Sequence, residues 1–455
     1  MEVKSMLIKA SVENFRSFDK LEEITMVSSS KMQTNKNHKI KIKQVNLLKN
    51  AVVYGANASG KSNLVRAFAF IKACVAEGIP VNAVNDFCKN REENKSRESV
   101  FELQFTVGDK FYAYGFSVIL SQRTITGEWL YELLQDGNAR NLFSREQGKL
   151  PELGEGVSPS TAEKNRFSIY AEDFVGHDSQ LFLTEMNRGK KYEEDSKLIF
   201  FRNVFGWIMN NIIILNPNTA ITNFENYSEQ SLETINQLIQ TFDTGISEVG
   251  TRQISMDELA KMIPPEILAG VITSLKQEML RTNMPHIQMS WRTAENFFNI
   301  KVSNNDEPEI STLLLKHGKS FFDFDFAEES DGTKRIFDLI DMLLTRREDT
   351  VYVVDELERS LHPKLTEHFL KLFMDAHEEA RMQLVFTTHE DTIMDQNLFR
   401  RDEIWFVERD SSNNSNIYSL DRFKERYDKK LSKAYLEGRY GGVPVFSSIF
   451  PVKGE

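Results

Sequence analysis

NAVVYGANASGKSNL, residues 50–64, joins an apolar run to a helix-spaced segment through a turn of small residues. Val52, Val53 and Tyr54 close what reads as a buried strand. Leu64, Ala67, Phe68, Ile71, Cys74 and Val75 then recur at helical spacing. Between the two lies Gly55-Ala56-Asn57-Ala58-Ser59-Gly60-Lys61-Ser62, a GxxxxGKS pattern in the strand-to-helix context that this motif requires. The glycines let the backbone curl its N–H groups around a phosphate, and the first helical turn adds the positive end of its dipole. Lys61 offers a point charge to the terminal phosphates and Ser62 a hydroxyl to Mg. Asn57 in the loop and Asn63 just after it are further nucleotide-binding candidates, beside Gly55 and Gly60. The expected cofactors are ATP and Mg.

A second run, Val351-Tyr352-Val353-Val354, is continuously apolar, as in a parallel strand buried on both faces, and it ends in Asp355-Glu356. An acid at that point emerges at the carboxyl edge of a sheet, where ligands sit. Asp355 is expected to hold Mg through water, and Glu356 to orient and deprotonate the attacking water. A third buried run, Gln383–Thr387, leads into Thr388-His389, where a histidine can sense a terminal phosphate.

The spacing of these motifs is informative. Lys61 and Asp355 are 294 residues apart. Small GTPases and RecA-like motors place the acid far nearer, so a large insertion points to the ABC/SMC type of ATPase. Glu329-Ser330-Asp331-Gly332-Thr333-Lys334-Arg335 precedes an amphipathic helix 23 residues before Asp355, and it resembles the ABC signature. That resemblance implies that Ser330 and Gly332 contact a γ-phosphate held by another protomer. Leu361-His362-Pro363 stands where ABC proteins keep the loop linking protomers. Ser360 and His362 are therefore interface candidates, with a plain helix N-cap as the equal alternative. Gln104 and Gln180 are both candidates for the glutamine that couples Mg to the second lobe.

The order of motifs matches the ABC/SMC superfamily, and Val12-Glu13-Asn14-Phe15-Arg16-Ser17-Phe18 resembles the first strand of RecF, SMC and OLD-type ATPases. The stretches GANASGKSNL, EESDGTKR, DELERSLHP, TTHE, RRDEIWFVE and YLEGRYGGVP together resemble the compact ABC-like AAA ATPases of bacterial anti-phage operons. That group includes AriA subunits of PARIS systems, RloA-like proteins and abortive-infection ATPases. Arg359 departs from the acidic or Asn residue commoner at its position. The resemblance implies a homo-oligomer that shares ATP sites between protomers, a separate effector that is a nuclease, and a phage-encoded trigger. A RecF/SMC-like DNA-repair ATPase is the alternative, with DNA as partner.

Composition bounds these readings. The chain has 455 residues, is 40% hydrophobic and 27% charged, and carries a formal net charge of −11, which disfavours a surface that binds nucleic acid throughout. A local basic stripe remains at Arg422, Lys424, Arg426, Lys429, Lys430, Lys433 and Arg439. No apolar run reaches membrane-spanning length and the first residues lack a signal-peptide core, so a cytoplasmic location without membrane is expected. Cys74 and Cys88 are expected to be free thiols, and the remaining histidines form no metal spacing. Only 66 residues follow His389, too few for a TOPRIM nuclease of about 100 residues.

The expected fold is α/β: an ABC/SMC-type P-loop ATPase with a mixed sheet, an antiparallel β subdomain and an inserted helical lobe. Strands FELQFTV, FYAYGFSVIL and EWLYELL mark the subdomain. The expected divisions are 1–165, the N-terminal half of the ATPase domain; 166–310, the helical lobe; and 311–455, the C-terminal half.

Overall fold

A computed structural model describes residues 5–30, 32, 34–216, 221–224, 232–282, 284–293, 295–303, 307–345, 348–423 and 431–443. The chain divides into two compact units. One is Met1–Ile214 with Glu348–Leu357 and His377–Glu455; the other is Leu215–Arg347 with Glu358–Ala376.

In the first unit, a central sheet orders its strands Ile212–Leu215, Val351–Val354, Gln383–Thr387, Asn50–Tyr54, Ile404–Arg409, Ser415–Ser419. The four middle strands run parallel and the last is antiparallel. Every residue of Asn50–Tyr54, Val351–Val354 and Gln383–Thr387 is buried, as the continuous apolar runs require. Because these strands are parallel, Tyr54, Val354 and Thr387 all end at one edge, and the segments that follow them converge there.

Helix Lys61–Glu77 lies against this sheet. Its stripe of Leu64, Phe68, Ile71 and Val75 is buried in a core shared with the seven-stranded antiparallel sheet, each large side chain contributing about 1.5–3 kcal/mol. That second sheet orders Glu152–Leu153, Ala139–Glu146, Thr124–Leu133, Lys110–Ile119, Ser99–Val107, Met6–Glu13, Glu22–Thr25. Gln383 joins the two sheets: its amide nitrogen donates to the carbonyls of Leu7 (3.0 Å) and Leu48 (2.9 Å), and its oxygen accepts from Leu7 N–H at 2.6 Å. Glu128, fully buried, accepts from Tyr114 hydroxyl and from the amides of Phe182 and Leu183, which fastens the helical segment 161–211 to the sheet. Burial raises its carboxyl above the ordinary value.

The second unit holds a six-stranded antiparallel sheet, five strands ordered Ile221–Phe224, His286–Arg292, Phe297–Ser303, Glu309–His317, Ile246–Gln253, with Phe324–Asp325 also pairing to Glu309–His317. Helix Pro265–Thr282 packs on it through Leu268, Leu275 and Met279 against Phe298, Ile300 and Val302. Helices Asp331–Leu344 and Pro363–Ala376 belong to the same unit. Two expectations are corrected here. The lobe is not helical alone but carries this sheet, and it begins near residue 215 rather than 166. Helices Thr161–Asp173 and Ile199–Asn211 bury Phe167, Phe201, Val204 and Trp207 in the core of the first unit. No described helix is long and apolar enough to cross a membrane. Cys74 and Cys88 are free and buried. Lys424, Arg426, Lys429 and Lys430 of the basic stripe lie outside the described residues.

Candidate nucleotide site

The phosphate loop leaves Asn50–Tyr54 at the carboxyl edge and enters helix Lys61–Glu77 with Gly60 as N-cap, so no side chain caps the first-turn amides. Gly60 has φ +114, a conformation that only glycine adopts readily. A Cβ there would run into the Ser415 hydroxyl and lie 2.6 Å from Ser17 Oγ. A Cβ on Gly55 would collide with the Val407 carbonyl and lie 2.6 Å from Ser59 Oγ. Asn57 and Ala58 are exposed at the loop's tip, Ala58 with φ +61. Curled backbone, two obligatory glycines and an uncapped helix start make a concavity suited to phosphate oxygens.

Lys61 is buried, and its Nζ donates to the carbonyls of Gly55 at 2.6 Å and Ala56 at 3.0 Å. His389 Nδ1 is 3.2 Å from the same Nζ. An ammonium has no lone pair, so Nδ1 must accept, and the neutral ring then carries its proton on Nε2. Nε2 is 3.8 Å from Glu356 Oε1. Burial, then the Lys61 charge, push the His389 pKa below its ordinary value, which agrees with a neutral ring.

Asp355 Oδ1 accepts from Ser62 Oγ at 3.0 Å and from Thr387 Oγ1 at 2.6 Å. Thr387 Oγ1 in turn accepts from the Glu356 amide at 2.9 Å, and the Thr387 carbonyl accepts from Leu357 N–H at 3.1 Å. Glu356 has φ +48, a sparsely populated conformation for a non-glycine residue that costs about 1–3 kcal/mol and concentrates at functional sites. Thr387 accepts from the amides of both Glu356 and Leu357 and so helps to hold it. The Ser62 hydroxyl and Asp355 carboxylate are the hard oxygen donors that Mg takes, so the residues present fit that ion; bound there, it would neutralise developing phosphate charge.

Thr387 was legible in TTHE but carried no role in the sequence reading. Its strand position beside Asp355 gives it one. Replacing it with valine keeps the shape and removes the hydroxyl, leaving the Glu356 amide without that partner. Such orphaning costs about 1–3 kcal/mol, so steady-state kinetics of Thr387→Val are expected to show kcat lowered about 10-fold with KM for ATP nearly unchanged. Unchanged kcat would remove Thr387 from the site.

Two further residues were missed. Asn63 Nδ2 donates to Ser17 Oγ at 2.8 Å, and Ser415 N–H donates to the Ser17 carbonyl at 2.8 Å, while the Ser415 hydroxyl donates to the Ser59 carbonyl. The two serines brace the loop from beneath. Ser17 lay within the N-terminal motif, whereas Ser415 sits in a polar stretch with no sequence signal.

Both glutamine candidates are placed away from this edge. Gln104 pairs opposite Lys9, one pair from Leu7↔Phe105, and Leu7 bonds Gln383 at the start of its strand, the end opposite Thr387. Its side chain donates to Glu102 at 3.0 Å. Gln180 packs by Gly78 at the far end of the 17-residue helix that Lys61 begins, about 25 Å away at 1.5 Å per residue. Neither reaches Ser62 or Asp355.

Ser330 and Gly332 belong to the second unit. Ser330 caps its own helix, accepting from Thr333 N–H at 3.1 Å, and is exposed. A Cβ on Gly332 would lie 2.6 Å from the Ser360 carbonyl, whose residue has φ +62, so glycine is required there for packing. His362 Nδ1 accepts from Lys364 N–H at 3.2 Å, an N-cap contact for helix Pro363–Ala376. Helix Asp331–Leu344 is tied to the six-stranded sheet. Arg292 makes a two-pronged pair with Asp338 (2.6 and 2.7 Å), and His317 Nε2 is 2.6 Å from Glu329.

The family described as "AAA domain, putative AbiEii toxin, Type IV TA system" matches residues 51–200 and 291–395. No curated protein matches. Among solved structures, the SMC head domain from Thermotoga maritima is similar at 14% identity, covering 91% of this chain and 98% of that one, with TM-score 0.36. An SmcHead bound to the C-winged helix domain of ScpA is similar at 12% identity, covering 94% and 99%, with TM-score 0.37. The Smc head domain with an extended coiled coil bound to the C-terminal domain of ScpA derived from Pyrococcus furiosus gives 12%, 96%, 99% and 0.32. The parallel central sheet and the convergence of phosphate loop, acids and histidine at its carboxyl edge make the fold α/β, of the P-loop type.

Proposed function

With more than half of its residues matched, the chain belongs to this AAA-domain family, and we propose that it binds and hydrolyses Mg-ATP between head-to-tail protomers, as the sensor and scaffold subunit of an anti-phage system that holds and releases a separate toxic effector. The observation that carries the ATPase reading is the chain of contacts Ser62–Asp355–Thr387–Glu356, with His389 beside both Lys61 and Glu356. It groups a phosphate cradle, a metal-ligand pair and a base at one sheet edge. Catalysis by such a site is positioning and charge stabilisation. Lys61 and the loop amides hold the phosphates, Ser62 and Asp355 hold Mg, and Glu356 takes the proton of the attacking water. His389 in its Nε2–H form donates toward the region of that water.

Sharing between protomers rests on Ser330, exposed at the N-terminus of helix Asp331–Leu344, and on the resemblance to the ABC signature. Ser330→Arg is expected to leave each protomer able to bind ATP while blocking ATP-dependent assembly in size-exclusion chromatography with light scattering. Equal assembly of variant and wild type would remove Ser330 and Gly332 from the shared site.

The effector reading is supported by the toxin–antitoxin setting in the family's description. It is tested by tagging Glu356→Gln, purifying it from native cells and identifying what accompanies it. A stoichiometric nuclease or other toxin is the expected result. Nuclease-sensitive DNA without a protein partner would replace this reading with a DNA-repair ATPase.

A further inference from the structure

YLEGRYGG, residues 435–442, has no part in the chemistry above, yet its Tyr435 packs on Tyr54, the residue just before the phosphate loop. Helix Leu431–Leu436 ends in a turn in which Gly438, Gly441 and Gly442 take φ +75, +72 and +69. These left-handed conformations are cheap only for glycine. The Tyr435 ring stacks on Phe406 at 5.6 Å and tilts against Tyr54 at 6.0 Å, and both of those residues lie in the strands flanking the loop. Its hydroxyl donates to the Gly442 carbonyl at 2.9 Å. Burial, with Asp391 and Glu408 nearby, pushes the Tyr435 pKa up to about 12, so the donor keeps its proton at neutral pH. Tyr418 Oη lies 2.7 Å from the Tyr440 carbonyl. A Cβ on Gly441 would meet the Tyr418 hydroxyl and lie 2.5 Å from Glu408 Oε2.

This turn brings Gly442 near Gly55: a Cβ added to Gly442 would reach ordinary contact, 3.6 Å, with the Gly55 α-carbon. In its own Cβ direction Gly55 faces the Val407 carbonyl and Ser59, with no room for an added methyl. Gly55 thus lies among Gly442, Val407 and Ser59, and its carbonyl is the nearer of the two that receive Lys61 Nζ, at 2.6 Å. The same short helix packs on Asp391–Ile393, the turn that begins two residues beyond His389.

We infer that Tyr435 and the Gly441–Gly442 turn are positioning residues for the phosphate loop, so that this segment sets the affinity for ATP without touching it. The inference rests on the nucleotide-site reading above. It makes nucleotide affinity adjustable from outside the site, because displacing the turn frees Gly55 and, through its carbonyl, Lys61.

The test compares wild type, Tyr435→Phe and Gly442→Ala. Tyr435→Phe keeps the ring stack and deletes one hydrogen bond. The Kd for a fluorescent ATP analogue is measured in a Glu356→Gln background, and KM and kcat are measured in chains with Glu356 intact. Tyr435→Phe is expected to raise Kd and KM about 5-fold, the factor for one net hydrogen bond, with kcat unchanged. Gly442→Ala, strained at positive φ, is expected to shift Kd in the same direction by more. A merely structural role would lower the melting temperature without moving Kd, or lower kcat at constant KM, and either result overturns the inference. If Gly442→Ala fails to fold, Tyr435→Phe decides alone. A wild-type chain that does not bind ATP overturns the site reading and this inference with it, whereas normal wild-type binding with equal binding by Tyr435→Phe overturns only the inference.

Discussion

Glu356→Gln is expected to retain ATP and to lower its turnover by about 10²- to 10⁴-fold, the range that a general base supplies. Glutamine matches glutamate in shape, so the left-handed backbone at φ +48 and the amide bond to Thr387 are kept. What is lost is the capacity to accept a proton. His389 cannot substitute, because its Nδ1 is engaged by Lys61 and its lowered pKa makes it a poor base. Single-turnover hydrolysis, with nucleotide retention measured on the same sample, checks both halves of the expectation. Full turnover in the variant would mean that Glu356 is not the base.

Lys61→Ala has the other large expected effect, on binding instead of chemistry. The ammonium is the cation nearest the curled amides, and two carbonyls hold it in a buried position. Its removal deletes the point charge for the phosphates and leaves the Gly55 and Ala56 carbonyls without that donor. The Kd for ATP is expected to rise at least about 100-fold, near 3 kcal/mol and the upper end for a hydrogen bond to a charged group. Alanine is favourable in the first turn of a helix, so the circular dichroism spectrum should persist. Titration calorimetry measures the loss, and near-normal affinity would contradict the phosphate-loop assignment.

The parts of the fold that were legible in sequence share one physical property. Asn50–Tyr54, Val351–Val354 and Gln383–Thr387 are buried on both faces, so their apolar runs are unbroken and end abruptly in polar residues. Asp355, Glu356 and His389 stand at those ends, so their convergence at one sheet edge was legible in the sequence. The inserted sheet was not legible for the opposite reason. Ile246–Gln253 buries only Ile246 and Val249, three residues apart, a spacing that a helix would also show. Ser17, Ser415 and Gly442 were invisible as loop supports because each acts through a contact between segments far apart in sequence. The choice between Gln104 and Gln180 depended on which end of an element faced the loop, and a residue pattern carries no such direction.

The placement of Asn50–Tyr54 at the middle of the parallel strands has a consequence for biosynthesis. Its neighbours on either side, Gln383–Thr387 and Ile404–Arg409, are made roughly 330 residues later. At ribosomal speeds of about 5–20 residues per second, an apolar strand with both edges unpaired waits on the order of 16–66 s for its partners. Long-range parallel pairing of this kind is slow and prone to aggregation. The nascent chain is therefore a natural client for chaperones, and ribosomes that stall before residue 383 would release a product with the phosphate loop complete and neither neighbouring strand beside Asn50–Tyr54.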